Sequence, residues 1–348
     1  MKTPMTTVLL AATLWAGWPG GPQALAAPAE DSRQQFLALL ERPRVPLAPE
    51  VKPIATGAGW EEYHFSYASE AGQRVPGLLF KPAGAQGRLP VVIALHGTGG
   101  NKETQLAFIR QMAGRGFIAI AIDGRYAGER SHHGALGTAD YQAAIVKAWE
   151  GSGEHPFYYD TVWDVMRLLD YLQTREDVDI RRVGLFGISK GGIETYLAAA
   201  ADPRIAAAVP CVGVQSFAWA LEHNSWQARI HTVQSAFDAA ARESGSAKDT
   251  AMVRRFYDRV VPGIYGPFDG PVMVPLIAPR ALLIISSDSD PNNPLPGAQL
   301  AFAAARRAYG RLGAEDHLEV KLQMHTGHHV NADSLRQAMD WFTHRLQP

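Results

Sequence analysis

The chain has 348 residues, 47% hydrophobic and 19% charged, a composition typical of folded globular proteins and not of disordered or collagen-like chains. Lys and Arg number 33 against 34 Asp and Glu, so the formal net charge of −1 argues against the basic surface that nucleic-acid binding needs. The single cysteine, Cys211, excludes an intramolecular disulfide and a zinc site with several thiolates. We interpret Cys211 as a small buried residue at the end of a strand.

The first 26 residues have the pattern of a secretory signal peptide. Lys2 precedes an apolar run at residues 8–16, prolines and glycines interrupt it, and small residues at 24–26 match a cleavage site after Ala26. No stretch of the sequence approaches the ~18 consecutive apolar residues that a membrane span requires. We therefore predict an exported protein, periplasmic or extracellular, without a membrane span.

The rest of the chain alternates apolar strand-like runs with helical patterns. Strands are predicted at residues 60–69, 77–81, 90–95, 117–122, 182–187, 205–211, 281–285 and 318–322. Helices are predicted at residues 32–40, 102–113, 161–172, 190–201, 297–311 and 334–346. Continuous apolar strands need cover on both faces, so the pattern predicts a doubly wound, mostly parallel α/β sheet of about eight strands. We expect a single domain over residues 27–348, with cap insertions at about 125–158 and 213–275.

The most specific motif is Gly187-Ile188-Ser189-Lys190-Gly191, which lies between a predicted strand and a predicted helix. A serine in such a turn has a strained backbone and needs small neighbours, because the flanking chain segments approach closely. The turn presents the serine hydroxyl at the carboxyl ends of the strands, where open α/β folds place their sites. This context predicts that Ser189 is a nucleophile.

Serine needs a positioned base, normally a histidine oriented by a carboxylate. Both residue types follow later strands, in the chain order Ser, Asp, His. The segment after the strand at 281–285 contains Asp288 and Asp290, and the segment after the strand at 318–322 contains His325, His328 and His329. The sequence thus contains the components of a catalytic triad.

Together these motifs resemble the α/β-hydrolase superfamily, near its dienelactone-hydrolase-like and prolyl-oligopeptidase-like serine esterases and peptidases. The resemblance covers residues 60–346 and implies that Ser189 is the nucleophile. The superfamily's acid precedes a short turn ending near a proline, which matches Asp290 better than Asp288. Its base follows a glycine before the last helix, which matches His328, with His329 and His325 as alternatives.

The segment His96-Gly97-Thr98-Gly99-Gly100 resembles the oxyanion loop of the superfamily. The resemblance implies that the backbone N–H groups of Thr98 and Lys190 stabilise the oxyanion. We expect His96 to pack under this loop and shape it, and the side chain of Lys190 to be a partly exposed start of the helix.

Neither a metal nor a cofactor is predicted. Adjacent histidines such as His132 and His133 point apart, and the sequence lacks a HExxH motif. A dinucleotide-binding glycine motif and a phosphate-binding loop are absent as well.

The two insertions leave the sheet near the serine and are predicted to cover the substrate pocket. The candidate pocket residues are Arg125, Tyr126, Gln215 and Trp219. Arg125 is expected either to bind a substrate carboxylate or to pair on the surface with Glu129 or Asp123.

The predicted function is that of an exported serine hydrolase that cleaves carboxylic esters through an acyl-enzyme on Ser189. Its substrate would be a small-molecule or polymer-attached ester. Binding to nucleic acid and a membrane span are not expected. The first alternative is an acyl- or dipeptidyl-peptidase, disfavoured because the sequence contains no propeller repeat. The alternative of another class is a non-catalytic binding protein with a hydrolase fold.

Overall fold

The computed structural model describes residues 27–57, 59–134 and 138–347, so the predicted signal peptide lies outside the described residues. One mixed sheet runs through this part of the chain. Its nine strands are β1 (Glu50–Gly57), β2 (Trp60–Glu70), β3 (Gln73–Pro82), β4 (Leu89–Leu95), β5 (Ile118–Ile122), β6 (Val178–Ile188), β7 (Ile205–Cys211), β8 (Ala281–Ser287) and β9 (Leu318–Gln323).

Twelve α-helices occur in the described ranges. They are α1 (Ala27–Leu40), α2 (Leu106–Gly114), α3 (Thr138–Glu150), α4 (Tyr159–Gln173), α5 (Lys190–Ala201), α6 (Phe217–Glu222), α7 (Gln227–His231), α8 (Gln234–Glu243), α9 (Thr250–Val260), α10 (Gly270–Met273), α11 (Leu295–Arg311) and α12 (Ala332–Leu346). None of the helices described is long and apolar enough to cross a membrane.

The strand order is β1-β2-β3-β5-β4-β6-β7-β8-β9. Strands β1, β2 and β3 pair antiparallel, as do β3 and β5, and all pairings from β5 through β4 to β9 are parallel. The expected doubly wound, mostly parallel α/β sheet is therefore confirmed. One strand more than the expected eight is present, because the proline-containing segment of β1 forms an edge strand on β2.

Alternate residues of the central strands enter two different hydrophobic cores, as the two-residue period of a strand requires. In β4, Val91 and Ile93 face the larger core, whereas Val92 and Ala94 face the smaller one. Helices α2 and α12 cover the smaller core, while α1, α4, α5 and α11 contribute to the larger one. Burial on both faces explains why these strands are continuous apolar runs.

The two segments expected as cap insertions contain helices. Residues 213–275 include α6 to α10, and the segment 125–158, which shows no regular pattern in the sequence, contains α3. Helix α3 contacts α8 and α9, so the two segments pack against each other. The single domain expected over residues 27–348 remains a prediction.

Candidate active site

Ser189 lies in the turn between β6 and α5, as its motif predicts. Its backbone has φ 58° and ψ −114°, a left-handed φ that is costly for a residue with a side chain. On either side of Ser189 the chain leaves room only for glycine. A Cβ on Gly187 would lie 2.2 Å from the carbonyl oxygen of Gly191. A Cβ on Gly191 would likewise lie 2.4 Å from the carbonyl oxygen of Leu95. Close packing therefore holds the strained serine in place.

The structure places Ser189, His328 and Asp290 in one hydrogen-bonded chain. His328 Nε2 lies 2.7 Å from Ser189 Oγ, and His328 Nδ1 lies 2.8 Å from Asp290 Oδ2 and 2.9 Å from Oδ1. Ser189 and His328 are half-buried, whereas the Asp290 side chain is fully buried. The three groups come from the loops that follow β6, β8 and β9, at the carboxyl edge of the sheet.

Asp290 is surrounded by hydrogen-bond donors. Its Oδ1 accepts from the backbone N–H of Asn292 at 2.8 Å, and its Oδ2 accepts from Asn293 Nδ2 at 2.8 Å. Burial alone would raise the pKa of Asp290, but the hydrogen bonds from His328 and the two asparagines outweigh it and lower this pKa. Asp290 is therefore an ionised carboxylate facing the imidazole at neutral pH.

The alternative acid and bases have other surroundings. Asp288 accepts from the backbone N–H groups of His325 and Thr326, at 2.9 and 3.1 Å, so it closes the loop that carries the histidines. These backbone hydrogen bonds lower the pKa of Asp288. The side chains of His325 and His329 are exposed. Of these candidates, Asp290 and His328 are the two that hydrogen-bond to each other, and His328 also contacts Ser189.

The predicted oxyanion loop lies directly against the serine turn. A Cβ added to Gly97 would lie 3.6 Å from the Ser189 Cβ and 3.3 Å from the carbonyl oxygen of Ile188. Thr98 and Lys190 line a small pocket with His96 and Tyr141, and the pocket has room for about one water molecule. The Ser189 N–H donates to the carbonyl oxygen of Cys211 at 2.9 Å, which ties the turn to the end of β7.

His96 shapes the oxyanion loop through both ring nitrogens. Its Nε2 lies 2.9 Å from the backbone N of Gly124 and must accept that hydrogen bond, so the ring proton is on Nδ1 and is donated to the Gly97 carbonyl oxygen at 2.8 Å. Burial, and secondarily the charge of Lys190, lowers the pKa of His96 to about 3. His96 is therefore a neutral link between the oxyanion loop and the end of β5.

The expectation that Lys190 is partly exposed is wrong. The residue is 3% exposed, and its ammonium pairs with Glu194 one helical turn later and lies 5.9 Å from the ring centre of Tyr141. Burial raises the pKa of Glu194. The α-helical spacing of four residues brings the two charges together, so the lysine side chain turns into the protein while its backbone N–H remains at the start of α5.

Arg125 and Tyr126 line the same pocket as Thr98 and Lys190. Arg125 is fully buried and pairs with Asp164, at 3.1 Å from its Nε, and with Glu70. A surface pairing of Arg125 with Glu129 or Asp123 is therefore wrong. The Tyr126 hydroxyl donates to Glu154 at 2.5 Å.

Of the two other predicted pocket residues, Gln215 lines a pocket and Trp219 does not. Gln215 is buried and lines a second pocket, beneath helices α7 and α9. Trp219 stacks on His223, with ring centres 4.1 Å apart, and lies outside both pockets. One turn of α6 separates these two rings, which explains why they pair with each other.

Sequence reasoning missed Asn293 and Arg229. Asn293 donates from Nδ2 to Asp290 and to the Val212 carbonyl oxygen, and its Oδ1 accepts from Arg229 Nη2 at 2.6 Å. The Asx turn at Asp290 uses the backbone N–H of Asn292, two residues on, and so gives no signal for the side chain of Asn293. No local signal marks Arg229, which lies 64 residues away from Asn293.

Within the described ranges, no cluster of three His, Cys, Asp or Glu side chains is arranged to hold a metal ion. The site is built from a serine, an imidazole and a buried carboxylate. Such a set performs acyl transfer through a covalent intermediate in unrelated folds.

Two curated proteins match part of this chain. YtaP of Bacillus subtilis (strain 168), described as a hydrolase, is 28% identical over 146 residues, which cover 38% of this chain and 46% of YtaP. YcjY of Escherichia coli (strain K12) is 29% identical over 149 residues, covering 41% of this chain and 40% of YcjY. The chain thus spans less than half the length of these curated relatives.

Solved structures share the fold over nearly the whole chain. An acetyl xylan esterase from Paenibacillus sp. R4 superposes with a TM-score of 0.65 at 21% identity, covering 93% of this chain and 96% of that one. A glucuronoyl esterase from Solibacter usitatus gives a TM-score of 0.64 at 18% identity, covering 97% of this chain and 98% of that one. The family model for acetyl xylan esterase (AXE1) matches residues 36–224, which is more than half of the sequence. The chain therefore belongs to the acetyl xylan esterase (AXE1) family and has an α/β-hydrolase fold.

Proposed function

We propose that this protein removes acetyl groups from acetylated xylan or a similar carbohydrate through an acyl-enzyme on Ser189. The observation that carries the mechanism is the hydrogen-bonded chain from Ser189 Oγ through His328 to the buried Asp290. The substrate class rests on membership of the acetyl xylan esterase family. Family membership also favours an ester hydrolase over the peptidase and non-catalytic alternatives.

In the first half of the reaction, Ser189 Oγ attacks the ester carbonyl carbon while His328 Nε2 accepts the hydroxyl proton. The Asp290 carboxylate holds the imidazole in position and stabilises its positive charge. The backbone N–H groups of Thr98 and Lys190 donate to the oxyanion, a type of contact worth about 3 to 4 kcal/mol of barrier per donor. His328 then donates its proton to the leaving sugar oxygen, which leaves an acetyl ester on Ser189.

In the second half, His328 accepts a proton from water as the water oxygen attacks the acyl carbon. The second tetrahedral intermediate collapses when His328 returns that proton to Ser189 Oγ, which releases acetate.

The test is acetate release from acetylated xylan by the wild type and by Ser189→Ala. We expect the variant to fold and to lose the activity, and an organophosphonate to form a covalent adduct with the wild type only. Mass spectrometry of the intact proteins measures the adduct. A folded Ser189→Ala protein that keeps esterase activity would contradict the acyl-enzyme mechanism.

We also propose that the protein is exported, on the signal-peptide pattern of residues 1–26. An extracellular or periplasmic location suits a polymeric substrate that does not enter cells. Amino-terminal sequencing of the protein from its native host tests this. A mature chain beginning at Ala27 is expected, and one that retains Met1 in the cytosolic fraction would contradict export.

A further inference from the structure

The side chain of Lys190 lies beneath the predicted oxyanion loop, although the proposed mechanism uses only the backbone N–H of this residue. The side chain is buried, and it lines the same small pocket as His96 and Thr98. A Cβ added to Gly124 would lie 3.2 Å from Lys190 Nζ and 3.2 Å from His96 Nε2. The ammonium and the His96 ring therefore lie against the same residue, just after the end of β5.

Lys190 and Glu194 form a buried ion pair whose positive end is the nearer one to the oxyanion loop. Glu194 is 1% exposed and lies one turn, about 6 Å, further along α5, which leads away from the carboxyl edge of the sheet. Lys190 lines the pocket beneath the loop, whereas Glu194 does not. Burial is the main cause of the lowered pKa of His96, and the charge of Lys190 is the next. The pair is therefore a fixed dipole with its positive end towards this loop.

Ester cleavage at Ser189 creates negative charge close to this dipole. In the proposed mechanism the oxyanion accepts from the backbone N–H of Lys190, and a lysine side chain places its ammonium at most about 7 Å from its own backbone nitrogen. Charges at such a distance interact more strongly in a buried site than in water, and a charge already in place needs no rearrangement as the oxyanion forms. The nearer, positive end of the pair therefore stabilises the oxyanion more than the negative end opposes it.

We propose that the ammonium of Lys190, held in place by Glu194, stabilises the oxyanion from beneath the oxyanion loop. Lys190 is in this respect a positioning residue, since its side chain sets the electrostatic potential at the loop and does not touch the substrate. This inference rests on the proposed acyl-enzyme mechanism at Ser189, and it adds a side chain to the backbone donors of Thr98 and Lys190. Glu194 is needed because an unpaired cation in the interior would be costly.

The experiment removes both charges together, so that neither is left unpaired. The double variant Lys190→Met/Glu194→Met replaces the pair by two apolar side chains, a change that is often neutral for the free energy of unfolding, and it keeps the backbone N–H of residue 190. We expect kcat and kcat/KM for p-nitrophenyl acetate to fall together, roughly 3- to 10-fold, because only the charged transition state is affected. Thermal unfolding is expected to show a stability close to that of the wild type.

The single variants separate an electrostatic role from a structural one. Lys190→Met leaves a buried carboxylate unpaired, so it should lose both stability and kcat. Lys190→Arg retains the positive charge and should keep kcat within about 3-fold of the wild type. A stable double variant with wild-type kcat would show that the pair only fills the interior, and it would overturn the proposal. A folded Lys190→Arg protein as slow as Lys190→Met would do the same.

The matched control is Lys102→Met. Lys102 is also buried, at 2% exposure, and its ammonium lies 2.8 Å from Asp123, 2.8 Å from Glu129 and 2.9 Å from Glu103. Surrounded by three carboxylates, this ammonium gives the oxyanion loop no net positive charge. We expect Lys102→Met to lower the free energy of unfolding but to change kcat less than about 2-fold. A loss of kcat equal to that of the double variant would contradict an electrostatic role of Lys190.

A second arm measures stabilisation of the oxyanion by binding. Methylboronic acid forms a bond between boron and Ser189 Oγ while the hydroxyl proton passes to His328, so the tetrahedral boron group carries one negative charge. Its Ki should rise in the double variant by about the factor by which kcat falls, and an unchanged Ki would overturn the proposal. Failure of the proposed function is distinguished by Ser189→Ala, which would then keep its esterase activity whatever the Lys190 variants show.

Discussion

Two loops at the carboxyl edge of the sheet each carry a histidine, and the two side chains are held in opposite ways. His96 is 2% exposed, and both of its ring nitrogens bind backbone groups, of Gly97 and Gly124. His328 is half-buried, and its ring nitrogens face the side chains of Asp290 and Ser189. The comparison shows that partners decide the role of an imidazole, since backbone groups fix its tautomer whereas a carboxylate and a hydroxyl allow it to carry a proton.

Charge strengthens this difference. Burial and the nearby Lys190 lower the pKa of His96 to about 3, so this ring is neutral in all ordinary conditions. His328 instead faces a carboxylate whose own pKa is lowered. The loop of His96 therefore provides shape, and we propose that the loop of His328 provides proton transfer.

The largest expected effect is that of His328→Gln. Loss of the base should lower kcat for an acetyl ester on the order of 10⁴- to 10⁶-fold with little change in the free energy of unfolding. The control is His329→Gln, which alters an exposed neighbour and should change kcat less than about 2-fold. Steady-state kinetics with p-nitrophenyl acetate measure both, and similar rates for the two variants would contradict the role of His328.

Asp290→Asn should lower kcat by about 10⁴-fold, because an amide no longer stabilises the protonated imidazole. Asp288→Asn is the matched control, since Asp288 accepts only from groups of its own and the neighbouring loop. Its expected effect on kcat is below about 10-fold. An ordering of the two variants opposite to this would assign the acid to Asp288.

Asn293→Ala tests how Asp290 is held. It removes the side-chain donor to the buried carboxylate, a bond to a charged group worth about 1.5 to 3 kcal/mol, so kcat should fall roughly 10- to 100-fold. Circular dichroism and thermal unfolding check that the variant is folded. A folded variant with wild-type kcat would show that the remaining donors suffice.

His96→Gln has the smallest expected effect on activity, and its main effect concerns stability at low pH. The folded-state pKa is about 3 and the ordinary value 6.5, so the unfolded chain binds the extra proton between these values. The contribution of neutral His96 to the free energy of unfolding is thus complete above pH ~6.5. It is lost as the pH falls, at up to about 1.4 kcal/mol per pH unit. In His96→Gln, the free energy of unfolding measured with denaturant should therefore fall less between pH 6.5 and 4 than it does in the wild type.

Burial also lowers the pKa of His155, so part of the acid sensitivity should remain in His96→Gln. The pH midpoint of esterase activity should not move, because His96 does not titrate near neutrality. A shifted midpoint would assign His96 a role in proton transfer and would remove the contrast between the two loops.

The centre of the sheet and the serine turn could be predicted from the sequence. Helix α5 and strand β7 have the predicted bounds, because strands buried on both faces are continuous apolar runs and the glycines mark where they end. Strand β1 was not recognised, since an edge strand has no such run. It contains Pro53, and Val51 and Ile54 are 44% and 53% exposed, so only pairing with β2 makes it a strand.

Side-chain contacts between distant segments could not be predicted. The ring of Tyr141 that covers Lys190 comes from another helix, and the link from Arg229 to Asp290 passes through Asn293. Such contacts are fixed by tertiary packing and leave no periodic pattern. The sequence therefore named the three residues of the hydrogen-bonded chain but not the groups that hold them.

Cys211 gives the enzyme a practical property. It is the single cysteine of the chain, it is fully buried at the end of β7, and burial raises the pKa of its thiol. A buried protonated thiol reacts slowly with alkylating reagents. Ser189→Cys would therefore place the one reactive thiol of the molecule at the nucleophile position, where a fluorescent or cross-linking group can be attached at a single site without first removing any native cysteine.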